Sequence, residues 1–395
     1  MLAFTSDAVR ALNADDVAVR LAALELAAAM ALPTPDEEVW RYSRIKELDL
    51  SALRPGRAAT TVSGIADGAT LDHSAPATDL DAAIDVFHLL NVAFGEAVVI
   101  RVPRGKVVAE PIVVSHHISS PDSVDGPGGA RIAVFPRLVI DAGEDAEVTV
   151  VEQFVSDDGD VSLVVPRLEV RAAQSARVRY LGVNLLADTT WSLGHQYAVG
   201  ERDSTTLLAT VALGGDYARV RTEAHLTGQG ASTRQIALYF ADGTQMHDFR
   251  TLQDHAAPKT TSDLLFKGAV QDHAKSVYTG LIHIRHDAKG SVAFQTNRNL
   301  TLSEGAWAES VPNLEIETND VKCSHASTVG PIDEDQRFYL ESRGIPPEVA
   351  ERLVVLGFFD EVLHQLPVGP LADELRARVG AKLEARTAVL AGSAS

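Results

Sequence analysis

The fold is decided by seven short runs rich in β-branched residues: EVTVVEQFV (147–155), SLVVPRLEV (162–170), RVRYLGV (177–183), TWSLGHQYAV (190–199), TLLATVAL (206–213), RVRTEAHL (219–226) and RQIALYF (234–240). Successive runs begin about 14 residues apart, slightly further apart than the strands of most sandwiches. No helical segment fits between them, which excludes a doubly wound α/β fold. The near-constant spacing predicts a mainly β protein built of stacked coils, each buried against its neighbours. An antiparallel sandwich remains the alternative.

This pattern of short β-branched runs extends from about Val98 to Val321. The segments on either side of it are predicted to be helical or loop. Before it, apolar residues at helical spacing from Val17 to Met30 predict a helix that Pro33 stops. Residues 51–78 and 119–130 are rich in Ala, Gly, Ser and Asp, which indicates loop or linker. We therefore expect residues 1–95 to form an N-terminal helical region with a linker.

The last sixty residues are again helical in pattern. Asp333, followed three residues later by Gln336, resembles the start of a capped helix, and Gly344 is a plausible stop. Pro346 and Pro347 then open a second helix, and a third follows. The expected division is a β core over residues 96–330 and a C-terminal helical domain over residues 331–395.

Composition narrows the classes of function. Of 395 residues 46% are hydrophobic, and 35 Lys plus Arg stand against 54 Asp plus Glu, a formal net charge of −19. Because such a field repels phosphate backbones and anionic lipid, we expect neither nucleic-acid nor membrane-surface binding. No apolar run approaches the roughly 20 residues that span a bilayer, and the start does not resemble a secretory signal. The single cysteine suits a reducing compartment, so a cytoplasmic location is expected.

Nucleotide-binding and hydrolase motifs are absent from the sequence. It contains no G-x-x-x-x-G-K-[ST] phosphate loop, no dinucleotide fingerprint and no G-x-S-x-G elbow. If ATP is used, another chain must bind it.

Cys323 and His325 form the one pair of residues that suggests metal chemistry. On a strand, residues two apart point to the same face, and a thiolate with an imidazole suits a soft or borderline metal. A closed site usually needs about four protein ligands, and the chain has no second cysteine. Either a partner completes the site or Cys323 is an ordinary small buried side chain. We assign no ligand role to His283 and His286, and His225 is expected on a solvated strand face.

Several segments resemble the SufB/SufD family of iron–sulfur cluster assembly scaffolds. The matching segments are EVWRY (38–42), LNVAF (90–94), Asp254-His255, Pro258, Thr260, Ser262, Lys267-Gly268, NL (299–300), PNLEI (312–316), DVKCSH (320–325), TVGPIDEDQ (328–336) and FYLESRGI (338–345). SufB-type members carry a functional cysteine and a glutamate where this chain has Asn297 and Ala326. The Cys-Ser-His form and the shorter length are similar to SufD-type members, although these commonly have glycine at the position of Ala326.

The resemblance implies a right-handed parallel β-helix, or β-solenoid, between helical ends. It further implies a non-catalytic subunit that pairs with a SufB-type scaffold and docks a SufC-type ABC ATPase. A nascent iron–sulfur cluster would form at the scaffold interface, with His325 as the better candidate ligand and Cys323 as the second. Whether isolated chains form homodimers is left open.

An apolar cluster on the helix after Pro347 is the expected ATPase docking surface. Its members are Leu356, Phe358, Phe359, Val362 and Leu363. The alternative is that these residues pack on their own domain. Two rival functions also remain open: a β-helical enzyme acting on carbohydrate or acyl groups, and a purely structural coil protein. Low aromatic content, 6%, disfavours the enzyme.

Overall fold

The computed structural model describes residues 3–12, 14–65, 68–74, 79–119, 131–159 and 161–393, with side chains to residue 384. It contains 45% strand and 21% helix. The helices are α1 (Ser6–Arg10), α2 (Val17–Ala29), α3 (Val86–Phe94), α4 (Glu334–Glu341), α5 (Pro347–Leu363) and α6 (Gly369–Ser393). Three short 3-10 turns cover Glu38–Trp40, Ile45–Glu47 and Leu50–Ala52.

The strands form two stacked sheets. They are β1 (Arg54–Pro55), β2 (Ala59–Ser63), β3 (Thr70–Asp72), β4 (Glu96–Val102), β5 (Ile112–Ile118), β6 (Ile132–Val134), β7 (Pro136–Ala142), β8 (Glu147–Ser156), β9 (Ser162–Val164), β10 (Arg167–Ala172), β11 (Arg177–Leu185), β12 (Trp191–Gly200), β13 (Thr205–Ala212), β14 (Tyr217–Leu226), β15 (Ser232–Ala241), β16 (Met246–His255), β17 (Thr261–Val270), β18 (Lys275–Ile284), β19 (Ser291–Thr301), β20 (Trp307–Ile316) and β21 (Val321–Gly330). Sheet A has the order β20-β18-β16-β14-β12-β10-β7-β4-β3, with β1, β6 and β9 beside it. Sheet B has the order β2-β5-β8-β11-β13-β15-β17-β19-β21.

The long strands alternate between the two sheets, and the structure confirms the predicted parallel β-solenoid. All neighbouring pairs from β4 to β21 are parallel, in about seven turns. One coil contains two long strands, so residues such as Arg219 and Asp248, 29 positions apart, stack on one another. The 14-residue spacing in the sequence is therefore half a coil. The predicted strand 162–170 is divided into β9 and β10 at Pro166, which has no N–H to give to the ladder.

A corner of the same backbone conformation recurs in successive coils. Positive φ angles of 56–75° occur two residues before each of five successive sheet B strands. The corner residues are Asp145, Ser175, Asp203, Gly230 and Lys259. The N–H of each donates to the backbone of the next corner at 2.9–3.1 Å. Four of the five are not glycine, so these stacked bonds hold a strained backbone in place.

The N-terminal segment packs on the outer face of sheet A. Trp40 lies beneath Arg219, whose guanidinium carbon is 4.1 Å from the indole ring centroid and whose Nη1 donates to buried Asp248 at 2.6 Å. The prediction that residues 51–78 form a linker is wrong in part. Strands β2 and β3 lie within this segment and pair antiparallel with β5 and β4. Both are short, mostly exposed edge strands without apolar alternation. The predicted loop 119–130 lies, beyond Ser119, outside the described residues.

The C-terminal helices pack on the outer face of sheet B. Asp333 caps α4 by accepting from the N–H groups of Asp335 and Gln336, and Gly344 has φ +84°, as the sequence predicts. Helices α5 and α6 bury their apolar residues against Ile236, Leu238 and Phe240. The division into three domains stays a prediction. Among the described residues, no helix is both long and apolar enough to cross a membrane.

Phe359 is the side chain on which the docking of α5 depends most. It is fully buried, and its ring centroid lies 6.3 Å from that of Phe240 on sheet B. We expect Phe359→Ala to cost about 3 kcal/mol or more and to release α5 and α6 from the solenoid. Leu353→Ala, on the same helix but 43% exposed, is the matched control. The measurement is the rate at which trypsin cleaves the helical region that follows residue 345. Equal rates for the two variants would contradict this packing.

Candidate functional site

Cys323 and His325 lie on β21, the last strand of sheet B. This strand pairs with β19 along one edge, and β20, the last strand of sheet A, pairs with β18 along one edge. Within the described residues, no further strand covers the opposite edge of either one. The pair therefore lies at the open end of the solenoid.

The two side chains face the interior of the coil, as residues two apart on a strand are expected to do. Cys323 is opposite Ala293 and His325 is opposite Gln295, and both of these β19 residues are buried between the sheets. Cys323 and His325 thus extend two rows of interior side chains onto β21, which is the last strand of sheet B. The shared face is confirmed, and the ligand role stays a prediction.

Cys323 has apolar surroundings. Its side chain is half-buried and packs against a small cluster that contains Ile282, Ala288 and Ala293. This burial raises the pKa of the Cys323 thiol, which disfavours the thiolate that binds metals. These surroundings support the alternative that Cys323 is a small packed side chain, and its ligand role stays a prediction.

His325 is exposed and lies above a polar interior. Both polar side-chain atoms of Gln295, its register partner, are buried and have no hydrogen-bond partner within the described part of the chain. Further along β19, the Nδ2 of Asn297 donates to the hydroxyl of Tyr239 at 3.0 Å, and the Nδ2 of Asn299 donates to the Oδ1 of Asn297 at 2.8 Å. The exposed imidazole of His325 is accessible to a group that approaches the end of the solenoid.

One chain does not complete a metal site at this pair. Over the residues that the structure describes, neither Cys323 nor His325 belongs to a group of three or more closely spaced His, Cys, Asp or Glu ligands. A cluster held here would need its remaining ligands from another chain, as the sequence predicts from the single cysteine.

The structure corrects the predicted docking surface on α5. Leu356, Phe359, Val362 and Leu363 are buried against sheet B and α6, because α5 lies between the two and needs apolar residues on both sides. Phe358 is half-buried: its ring lies 4.4 Å from the Nζ of Lys267. Four of the five proposed contact residues are therefore inaccessible to a partner.

A second group of titratable side chains lies on the outer face of sheet A, where the sequence analysis gave no role. His225, Asp254 and His283 are in register on β14, β16 and β18. Burial opposes protonation of His225, but hydrogen bonds from its ring to Asp254 and Glu223 raise its pKa to about 9. The recurrence of ionisable residues at 29-residue intervals was the sequence signal that could have located this group.

Comparison with known proteins assigns this chain to a family. The model of the SUF system FeS cluster assembly SufBD core domain matches residues 125–358, more than half of the chain. The chain belongs to the SufBD family. An iron–sulfur cluster assembly SufBD family protein of Mycobacterium tuberculosis is 34% identical over 377 residues, 90% of each chain. Escherichia coli SufD is 30% identical over 301 residues, 76% of this chain and 70% of that protein. Bacillus subtilis SufD is 31% identical over 276 residues, 69% and 61% respectively.

Family membership confirms the resemblance seen in the sequence, and this chain is an iron–sulfur cluster assembly family protein. It favours that role over a carbohydrate- or acyl-transferring β-helix and over a purely structural coil protein. The family model ends at residue 358, so it includes the whole of β19, β20 and β21, with Cys323 and His325.

Proposed function

We propose that this chain is a non-catalytic scaffold subunit that pairs with a SufB-type scaffold and helps to hold a nascent iron–sulfur cluster at their interface. The observation that carries the proposal is the uncovered last coil, where a histidine and a cysteine face the interior on a strand with a free edge. The proposed partner supplies both the missing strand neighbours and the missing ligands.

Apolar exposure at the end of the solenoid supports a protein partner. Leu314 and Ile316 on β20 and Val329 on β21 are each about 40% exposed. Their register partners one coil earlier, Ile282, Ile284 and Asn299, are buried between the sheets. Residues that a further coil would bury are thus presented to the outside, next to open strand edges, and this combination suits a second β-solenoid. In the absence of that partner, a second copy of this chain could occupy the same edges.

His325 is the proposed ligand from this chain, and Cys323 a secondary one. Imidazole is a competent iron ligand, and His325 is exposed without a partner that would compete for its nitrogens among the described side chains. Cys323 would have to lose its proton against a raised pKa. This chain binds no nucleotide in the proposal, since its sequence has no phosphate loop.

A SufC-type ATPase is the proposed occupant of a groove between α4 and α5. The groove is lined by Lys267, Leu300, Asp333, Asp335, Gln336, Tyr339, Leu340, Leu353, Val354, Gly357 and Phe358. Helix α4 has no buried residue although it carries Phe338 and Tyr339, which are 70% and 55% exposed. Aromatic residues on an exposed helix beside an acidic rim favour a partner with apolar and basic contacts.

Replacing His325 tests the cluster site. We expect His325→Ala to leave the complex with the partner scaffold and the ATPase intact but to lower its iron and sulfide content to less than half, because a metal bond is lost from an exposed position. Cys323→Ser should have the smaller effect. Ser324→Ala, on the same strand but facing outward, is the matched control. Iron and sulfide are measured on the purified complex after reconstitution, and wild-type content in His325→Ala would overturn the ligand role.

Replacing Leu353 tests the docking groove. A buried charge at an apolar contact weakens association, so Leu353→Asp should reduce ATPase capture in a pull-down at least tenfold. Ala381→Asp places the same charge on an exposed position of α6, outside the groove, and should bind as the wild type does. Circular dichroism checks that both variants are folded. Full capture by folded Leu353→Asp would exclude this groove as the ATPase site.

A further inference from the structure

Three side chains with metal-ligand chemistry converge on the outer face of sheet A, away from the interior face that carries Cys323 and His325. They are His283, Glu315 and Glu317, here called the His283 cluster. One ligand atom from each lies within 4.8 Å of the others. In the part of the chain that the structure describes, no other group of three or more His, Cys, Asp or Glu residues converges in this way.

The parallel register brings the cluster together. His283 on β18 is directly opposite Glu315 on β20, so the two share the outer face of neighbouring strands. Glu317 lies two residues further on, and its N–H continues the ladder by donating to the carbonyl of Ile284 at 2.9 Å. The positions of all three are thus fixed by backbone pairing, and no mobile loop is needed to assemble them.

A buried carboxylate lies behind the imidazole of His283. Its Nδ1 lies 3.4 Å from Asp254, whose side chain is only 3% exposed. Asp254 is itself held by Arg285 at 2.7 Å and by His225 at 2.9 Å. On the other side of the ring, Nε2 lies 3.1 Å from the Oε1 of Glu317, and the two form a hydrogen bond when Nε2 carries a proton. A carboxylate behind the imidazole is the usual neighbour of a metal-binding histidine, and a metal ion would replace the proton between Nε2 and Glu317.

The two glutamates differ in their charged neighbours: the hydrogen bond from His283 and the charge of Arg285 lower the pKa of Glu317, whereas Glu315 has no ion-pair partner among the described side chains. Neither Glu315 nor Glu317 forms an ion pair with a lysine or arginine among the described side chains, and Glu317 is anchored by the N–H of His286 at 2.9 Å. Two carboxylates beside one imidazole nitrogen repel each other unless a proton or a metal ion lies between them. A proton on His283 would neutralise the charge of Glu317 but would leave the charge of Glu315 unbalanced.

We propose that His283, Glu315 and Glu317 bind a divalent first-row transition-metal ion of the Zn²⁺ or Fe²⁺ class. One imidazole nitrogen and two carboxylate oxygens suit these ions, whereas Mg²⁺ and Ca²⁺ prefer oxygen ligands alone. Three protein ligands on an accessible face leave at least one coordination position open to a small molecule or to another protein. The site is separate from the cluster site at His325, and it does not depend on the proposed function.

The test is metal binding by the isolated full-length chain that also carries Cys323→Ser and His325→Ala, so that the other candidate site contributes nothing. After EDTA treatment, Zn²⁺ titration by calorimetry should give one ion per chain, and Co²⁺ should give the visible absorption of a site with nitrogen and oxygen ligands. His283→Gln and Glu315→Gln should each weaken binding at least tenfold. Glu309→Gln, on the outer face of the same strand β20 but outside the cluster, is the matched control and should bind normally.

The results of these measurements distinguish a bound metal ion from a proton shared between His283 and the glutamates. Wild-type affinity in both His283→Gln and Glu315→Gln, or Zn²⁺ binding that excess Mg²⁺ displaces, would overturn the proposal. If His283→Gln fails to fold, Glu315→Gln carries the test alone because Glu315 is exposed. Loss of metal here with normal iron and sulfide in the assembled complex would leave the proposed function intact.

Discussion

The stacking of coils in parallel register is the constraint on which the rest of this structure depends. Every backbone N–H and C=O of a parallel strand points to one of two neighbours, so each coil is complete only when another lies on both sides. The parallel pairing and the repeated positive-φ corner keep this register through the stack, although the coils from β12 onward vary from 26 to 32 residues. Side chains therefore form columns, and the chemistry of a column can be followed from coil to coil.

The two ends of the solenoid differ in how their last strands are covered. At the beginning, the short strands β2 and β3 turn antiparallel onto β5 and β4 and cover the first coil with mostly exposed edge strands. At the other end, β20 and β21 carry exposed apolar residues, and no further strand among the described residues pairs with their outer edges. Helices α5 and α6 pack on sheet B. An unprotected edge is a hazard for a chain on its own. The proposed partner scaffold would remove this hazard by completing the last coil.

Local patterns were predictable from the sequence, and long-range register was not. The i, i+2 relation of Cys323 and His325 gave the shared strand face, and the Asp333 cap followed from capping chemistry. The sequence spacing showed strands but not that two of them make one coil, so the opposition of His283 and Glu315, 32 positions apart, could not be foreseen. The composition of residues 51–78 predicts a linker although β2 and β3 form there, because polar edge strands lack apolar alternation.

Burial on α5 illustrates the same limit. A helix with apolar residues on more than one side indicates two contacts, but the sequence does not say whether the second contact is another chain or the same one. Here the solenoid and α6 take both sides, and Phe359 is fully enclosed. The exposed aromatic residues of α4 carry the docking proposal instead, and they occur within the segment that resembles the family.

The central claim is that a second scaffold completes the last coil of this one. The most direct measurement is amide hydrogen exchange of the chain alone and in complex with a SufB-type partner. The account predicts at least tenfold slower exchange in residues 307–316 and 321–330 on complex formation, with residues 147–156 in the middle of the stack unchanged. Unchanged exchange in the last coil of a verified complex would contradict it.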